Sequence, residues 1–418
     1  MSDNGGMTSR QRVIAALNHQ EPDRVPIDFG SNYNTSVNVI AYNRLKKHLG
    51  VGSPTYMRYT IPMLAAVDLD EGLEVMKLMG GDVLPLPRYF VDGVLTKDWK
   101  EWRLKDGSTA MVPGRFNPVA TESGNLELVF RGVAQFRMPK NGYYFDRVYN
   151  PLAAVESSQQ LEAFAAAFTA GGGTSLRDDE AEVLRGWAKK AYEETDYALL
   201  GDTYGLSLFH VGLEAFGYHK YFTMMAAEPD MVHTWMSILT QQWESFLTKY
   251  LEAVGQYIVA ILIGDDYGSQ RAPMISVKMF RELFKPYVAR ICKFVHETNP
   301  NVKVLLHSCG SVVPLIPEFI DAGIDALNPV QTTAEGMDPA VLKREFGKDI
   351  VFWGGGVRCQ STLDKGTVDD VRREVKELVE IWKPGGGYVF CPDHDIQENV
   401  SPEKIAAVYQ SCQEHGRY

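Results

Sequence analysis

Eight short apolar runs, each closed by Gly, Asp, Asn or Pro, constrain this chain more than any other feature. They occupy residues 24–29, 82–86, 197–201, 257–264, 302–307, 324–328, 350–353 and 387–391. Runs of this length, ended by turn residues, read as buried strands. Most are separated by amphipathic stretches. Phe280, Leu283, Phe284, Tyr287, Val288, Ile291 and Val295 recur at helical spacing, as do Val371, Val375, Leu378 and Val379. Eight strands alternating with helices point to an α/β fold closed as a TIM (β/α)8 barrel rather than an open sheet.

One long gap interrupts this rhythm. Between the second and third strands, at about 88–195, residues 99–145 alternate aromatic or branched with polar residues and are punctuated by Asp106-Gly107, Gly124-Asn125 and Asn141-Gly142. That pattern reads as β-hairpins. Helical segments around 157–168 and 178–194 follow, joined by Gly171-Gly172-Gly173. We read residues 1–418 as one barrel domain with a β-rich and helical insertion on its mouth, a lid, a partner surface or plain decoration.

Composition narrows the function. The net charge is −11 with no basic block, which argues against nucleic acid as partner. No apolar run approaches the roughly 18 residues of a membrane helix, and the polar N-terminus lacks a signal peptide's apolar stretch. Five cysteines in 418 residues make no disulfide framework. A cytoplasmic protein is expected, and a homo-oligomer is left open.

The fifth and eighth runs carry the chemistry. His307 and Cys309 are two residues apart at a strand end, so they share a face. Cys391 ends the eighth run. One imidazole and two thiolates at the C-terminal rim of a barrel, where function gathers, form a natural zinc set. Three protein ligands with an open fourth position suit a catalytic zinc. Cys292 and Cys412 fall within helical patterns and read as packing residues; Cys359 is ambiguous.

Other strand ends add polar and aromatic groups. The fourth run closes with Asp265 and Asp266, candidates for orienting substrate, for acid or base work, or for a fourth zinc ligand; the plainer reading is a helix-capping carboxylate. Asn328 can donate or accept a hydrogen bond in the mouth, and His394 can serve as a proton shuttle or surface residue. Tyr33, Tyr204, Phe209, Tyr267 and Trp353 can wall a flat apolar substrate or simply pack. Gly354-Gly355-Gly356 reads either as a phosphate-binding loop or as a tight turn.

Several of these stretches resemble the uroporphyrinogen decarboxylase superfamily. They are Arg12-Val13-x-x-Ala16-Leu17 with Glu21-Pro22-Asp23-Arg24-Val25-Pro26-Ile27, the His-x-Cys-Gly strand end, Ala322-Gly323-Ile324-Asp325-Ala326-Leu327-Asn328, Thr367-Val368 and Ser401-Pro402-Glu403-Lys404. The resemblance implies a TIM barrel and covers most of the chain outside about 90–195. Residues 28–36 lack the arginines with which the true decarboxylases hold substrate carboxylates. The set His307, Cys309 and Cys391 instead resembles the zinc motif of the corrinoid-dependent methyltransferases.

That branch implies zinc and a cobalamin-type corrinoid carried by a partner protein. The expected activity is methyl transfer from a small methylated donor, such as a methoxylated aromatic, to Co(I), with Asp265 or Asp266 managing orientation or protons. Tyr33, Tyr204, Tyr267, Asn328 and His394 are the expected substrate contacts. The alternatives are a metal-free decarboxylase, transfer from methylcorrinoid to a thiol or folate, and a non-catalytic corrinoid-binding barrel.

Overall fold

The computed structural model describes residues 6–58, 63, 72–86, 98–170, 175–203 and 206–418. Its first regular strand is β1 (Val83–Leu86). Two small antiparallel sheets follow. One pairs β2 (Trp99–Arg103) with β3 (Thr109–Pro113); the other runs β4 (Val119–Ala120), β5 (Leu126–Phe130), β6 (Val133–Met138) and β7 (Asp146–Arg147). Then come β8 (Ala198–Asp202), β9 (Ala260–Gly264), β10 (Lys303–His307), β11 (Ala326–Asn328), β12 (Val351–Trp353) and β13 (Tyr388–Val389), which join β1 in one curled parallel sheet of order β1-β8-β9-β10-β11-β12-β13.

Period-two alternation sorts the side chains of this sheet into two layers. Val83, Leu200, Leu262, Leu305, Ala326, Val351 and Val389 pack together inside the curl. Their neighbours Leu84, Leu199, Ile261, Val304, Leu327, Phe352 and Tyr388 face the surrounding helices. Both faces are covered, as a parallel sheet requires.

Seven of the eight expected strands are regular, and the first is corrected. Residues 24–29 make only isolated pairings, Ile27 with Phe390 and Arg24 with Arg417. Pro26 has no N–H to give to a ladder, and the N–H of Ile27 donates to the Asp82 carboxylate at 2.8 Å. The segment still closes the barrel. Phe390 N donates to Pro26 O and Asp28 N to Phe390 O, both at 2.8 Å, while Asp82 N donates to Ile27 O at 2.7 Å. The TIM-barrel architecture therefore holds with an irregular first strand.

The helices follow their sequence signals closely. Val368–Trp382 starts at a Thr367–Asp370 capping box and buries Val371, Val375, Leu378 and Val379, in keeping with the reciprocal bonds such a box makes. The expected helix from Phe280 opens with a π-turn, Phe280–Phe284, before Lys285–Thr298. Pro286, at the front of the second piece, supplies no N–H, so the ladder shifts there.

The stretch between β1 and β8 carries the small sheets and the helices Ser158–Ala170 and Asp178–Glu194. Gly107 and Gly124 take positive φ at its turns (86° and 82°), the conformation glycine permits. The glycine run 171–173 lies outside the described residues. The described residues contain no helix long and apolar enough to cross a membrane.

Candidate metal centre

Register sets the site. His307 pairs with Gly264 on one side and Asn328 on the other, so three strand ends form one row at the C-terminal rim. His307 continues the inward face of Leu305, and Asn328 that of Ala326. Trp353 and Val389 continue the row at the ends of β12 and β13. Cys391 follows Val389 two residues on along the same inward face, and Trp353 and Cys391 are completely buried.

The imidazole is held from behind. Asn328 Nδ2 donates to the Trp353 carbonyl at 2.9 Å, which turns Asn328 Oδ1 to His307. His307 Nδ1 therefore donates to that oxygen, at 2.7 Å. The other nitrogen, Nε2, is left with its lone pair facing outward. It lies 3.4 Å from Asp266 Oδ1 and 3.3 Å from Cys309 Sγ. Burial pushes His307 below its ordinary range despite the help of Asp266 and Asn328, which favours the ring with a free lone pair on Nε2.

Asp266, His307 and Cys309 bring one ligand atom each to within 4.8 Å of one another. Burial raises Asp266, but His307 and the Cys309 N–H, which donates to Oδ1 at 2.8 Å, outweigh it and hold the carboxyl below its usual range. Burial and the Asp266 charge push the Cys309 thiol well up. The single thiol proton can serve the imidazole lone pair or the carboxylate, but not both. A cation that displaces the thiol proton resolves the clash. The mixed N, S and O donors fit zinc, and Asn328 supplies the outer contact that fixes a ligating imidazole.

Two glycines let the ligands meet. A Cβ on Gly268 would stand 2.4 Å from Cys309 O, and one on Gly310 would stand 2.6 Å from Ser269 O. Gly310 also sits at φ 82°. The loop bearing Asp266 thus lies directly against the loop bearing Cys309.

The other expected site residues fall in different places. Asp265 spends both oxygens on a loop: it accepts from the N–H groups of Leu208, Phe209 and His210, from Ser207 Oγ and from Tyr267 OH, at 2.7–2.9 Å. Tyr267 is buried beneath the mouth, stacked on Phe209 with centroids 5.1 Å apart. Tyr33 stands at the site, its ring centroid 6.1 Å from that of His307. Tyr204 lies outside the described residues. Cys391 is outside the group of three; its sulfur is 3.8 Å from Asn328 Nδ2, in the barrel interior.

His394 touches Asp395 and lines a cleft of about 480 Å³ with Cys359 and Gln397. Burial lowers its pKa, but Asp395 outweighs that and holds it above the ordinary range. Cys359 ties the neighbouring loops: its N–H donates to Asp393 Oδ1 at 2.8 Å and its thiol to the His394 carbonyl at 3.1 Å. The glycines after β12 serve close packing, since a Cβ on Gly354 would lie 2.0 Å from Pro329 O. Sequence reasoning missed His210, whose backbone N–H donates to Asp265 Oδ1 at 2.7 Å and whose Nδ1 is buried without a hydrogen-bond partner among the described residues; a lone histidine at a helix start carries no motif.

Comparison with known proteins places the stretch that carries these residues in a family. Residues 208–415 match the uroporphyrinogen decarboxylase (URO-D) family. The chain belongs to the uroporphyrinogen decarboxylase superfamily. A uroporphyrinogen decarboxylase from Nitrosococcus oceani is 28% identical over 193 residues, 46% of this chain and 50% of that protein. One from Chlorobium limicola is 25% identical over 216 residues, covering 50% and 57%. The chain spans about half the length of the curated relatives it matches. Among solved structures, a methyltransferase from Methanosarcina mazei shares the fold, with a TM-score of 0.60 at 19% identity over 98% of this chain and 99% of that one. Within this superfamily barrel, the row Gly264, His307 and Asn328 and the loops of Asp266 and Cys309 make the candidate centre.

Proposed function

We propose that this superfamily member is a zinc-dependent methyltransferase. It would move a methyl group from a small methylated donor, a methoxylated aromatic in the preferred reading, to the Co(I) of a corrinoid carried by a separate protein. The observation that carries the reading is the convergence of His307 Nε2, Cys309 Sγ and Asp266 Oδ1, with His307 pinned by Asn328. The absence of arginine from residues 28–36 weighs against a substrate with several carboxylates.

Asp266, His307 and Cys309 would hold the metal, and Cys391, in the same barrel layer, is the candidate further donor. Bound zinc would supply Lewis acidity to the heteroatom that gives up the methyl group. Asp266 is half-exposed, with 34% of its side chain accessible against 3% for His307. It therefore stands on the substrate side, where, as a carboxylate, it would orient the donor, while the departing oxygen would take its proton from solvent. Tyr33 forms a wall over His307, and Asp265 acts by fixing the loop at 207–210.

The test is zinc per chain in wild type and Cys309→Ala, followed by cob(I)alamin methylation with methoxylated donors. About one zinc in the wild type, lost in the variant together with methyl transfer, is the expected result. A folded wild type without zinc would refute the reading and leave a metal-free route; decarboxylation is the activity named for the curated relatives.

A further inference from the structure

The loop between the irregular first strand and the helix Val39–Leu49 holds two amides that the site chemistry has not used. Asn32 and Asn34 are 0% and 2% exposed, yet the Nδ2 of each has no hydrogen-bond partner among the described residues. Leaving buried amide donors unpaired is costly, and native proteins seldom tolerate it without a reason.

Collapse of the loop onto these donors is blocked by its own bonding. Asn32 Oδ1 accepts from Asn34 N at 2.9 Å and from Thr35 N at 3.3 Å, so the Asn32 amide is fixed with its NH2 turned away from the turn. Asp28 anchors the base of the loop, accepting from Ser31 N, Ser31 Oγ and Trp353 Nε1 at 2.7–2.8 Å. The residue between the two amides is Tyr33, whose ring lies against His307. The two unpaired donors thus flank, in sequence, the tyrosine that stands against the metal group.

We infer that Asn32 and Asn34 form a subsite for a neutral acceptor oxygen, an ether or carbonyl, on the methyl donor. Amide N–H groups can only donate, so the matching group must accept. The rim is already rich in carboxylates: Asp28, Asp202, Asp265, Asp266, Asp393 and Asp395 are buried or half-buried there. A ligand carboxylate seated at these two amides would find only neutral donors there, with Arg58 already paired to Asp202 at 3.1 Å, whereas an uncharged oxygen meets no such penalty. The inference rests on the methyltransferase reading and specifies its substrate: an aromatic with a second neutral oxygen beside the transferred methoxy group.

The test measures binding by calorimetry to metal-loaded protein with no corrinoid present. The probes are 1,2-dimethoxybenzene, anisole and 2-methoxybenzoate. The first should bind about 10-fold or more tighter than the other two, the usual scale for one or two hydrogen bonds. Asn32→Asp keeps the capping oxygen but replaces the donor, and Asn34→Leu removes the second donor. Each should erase the preference for 1,2-dimethoxybenzene while zinc content stays at the wild-type level. Tightest binding of 2-methoxybenzoate, a preference that survives both substitutions, or no binding of any probe would overturn the subsite. Selective binding without methyl transfer would sink the methyltransferase reading alone; methyl transfer with unchanged affinities in both variants would sink the subsite alone.

Discussion

His307 Nδ1 and Asn328 Oδ1 lie 2.7 Å apart across the paired ends of β10 and β11. This contact decides which imidazole nitrogen is offered to the rim. Asn328→Leu keeps the volume and removes the acceptor. Zinc affinity should fall about 10–100-fold, read by competition with a chromophoric chelator, while circular dichroism stays unchanged. Equal affinity in the two proteins would show that the ring is oriented by other contacts.

The two thiols separate a ligand from a packing residue. Cys309→Ala should abolish stoichiometric zinc. Cys391→Ala, if Cys391 completes the donor set, should weaken zinc more than 10-fold; retention of full affinity would make it a residue of the barrel interior. Metal analysis after dialysis against a graded chelator reads both.

Gly310 tests the interlocked loops. Gly310→Ala places a methyl group against Ser269 O in a backbone region disfavoured for alanine. Stability should drop by about 2 kcal/mol or more, and zinc content should drop with it. Urea unfolding of the metal-free protein reads the first effect without the second.

A charge cluster far from the site gives a pH signature. Glu318 is buried and accepts from Arg281 Nη2 and Lys285 Nζ at 2.5 and 2.6 Å. Arg281 first, then Lys285, hold its carboxyl down at about 2. A carboxyl lowered on folding stabilises above its unfolded value of about 4.3 and loses that contribution as pH falls through the folded one. Glu318→Gln should therefore melt about 1–2 °C below wild type at pH 7, with the gap closing towards pH 2. A pH-independent gap would assign the effect to packing.

The barrel was legible because its strands end where their apolar runs end, and period two then placed His307, Asn328 and Cys391 in one interior layer. Period two could not choose between adjacent carboxylates. Asp265 turns to donors that lie 55–58 residues away in sequence, while Asp266 turns to the rim. Tyr267 follows Asp265 to the same side, which removes it from the mouth. Pro26 and Pro286 were visible, but the breaks they cause depend on which N–H groups their neighbours can find elsewhere. Asn32 and Asn34 read as ordinary turn residues; only burial without a partner singles them out.

The candidate ligands Asp266, His307 and Cys309 lie at the ends of two strands that are neighbours in space, with Asp266 and Cys309 only 43 residues apart along the chain. One βαβ crossover is enough to assemble them, and closure of the barrel by residues 26–28 is not required. A metal held there as proposed would therefore need only this crossover, and could act as a nucleus around which the remaining strands dock rather than a late addition to a finished barrel.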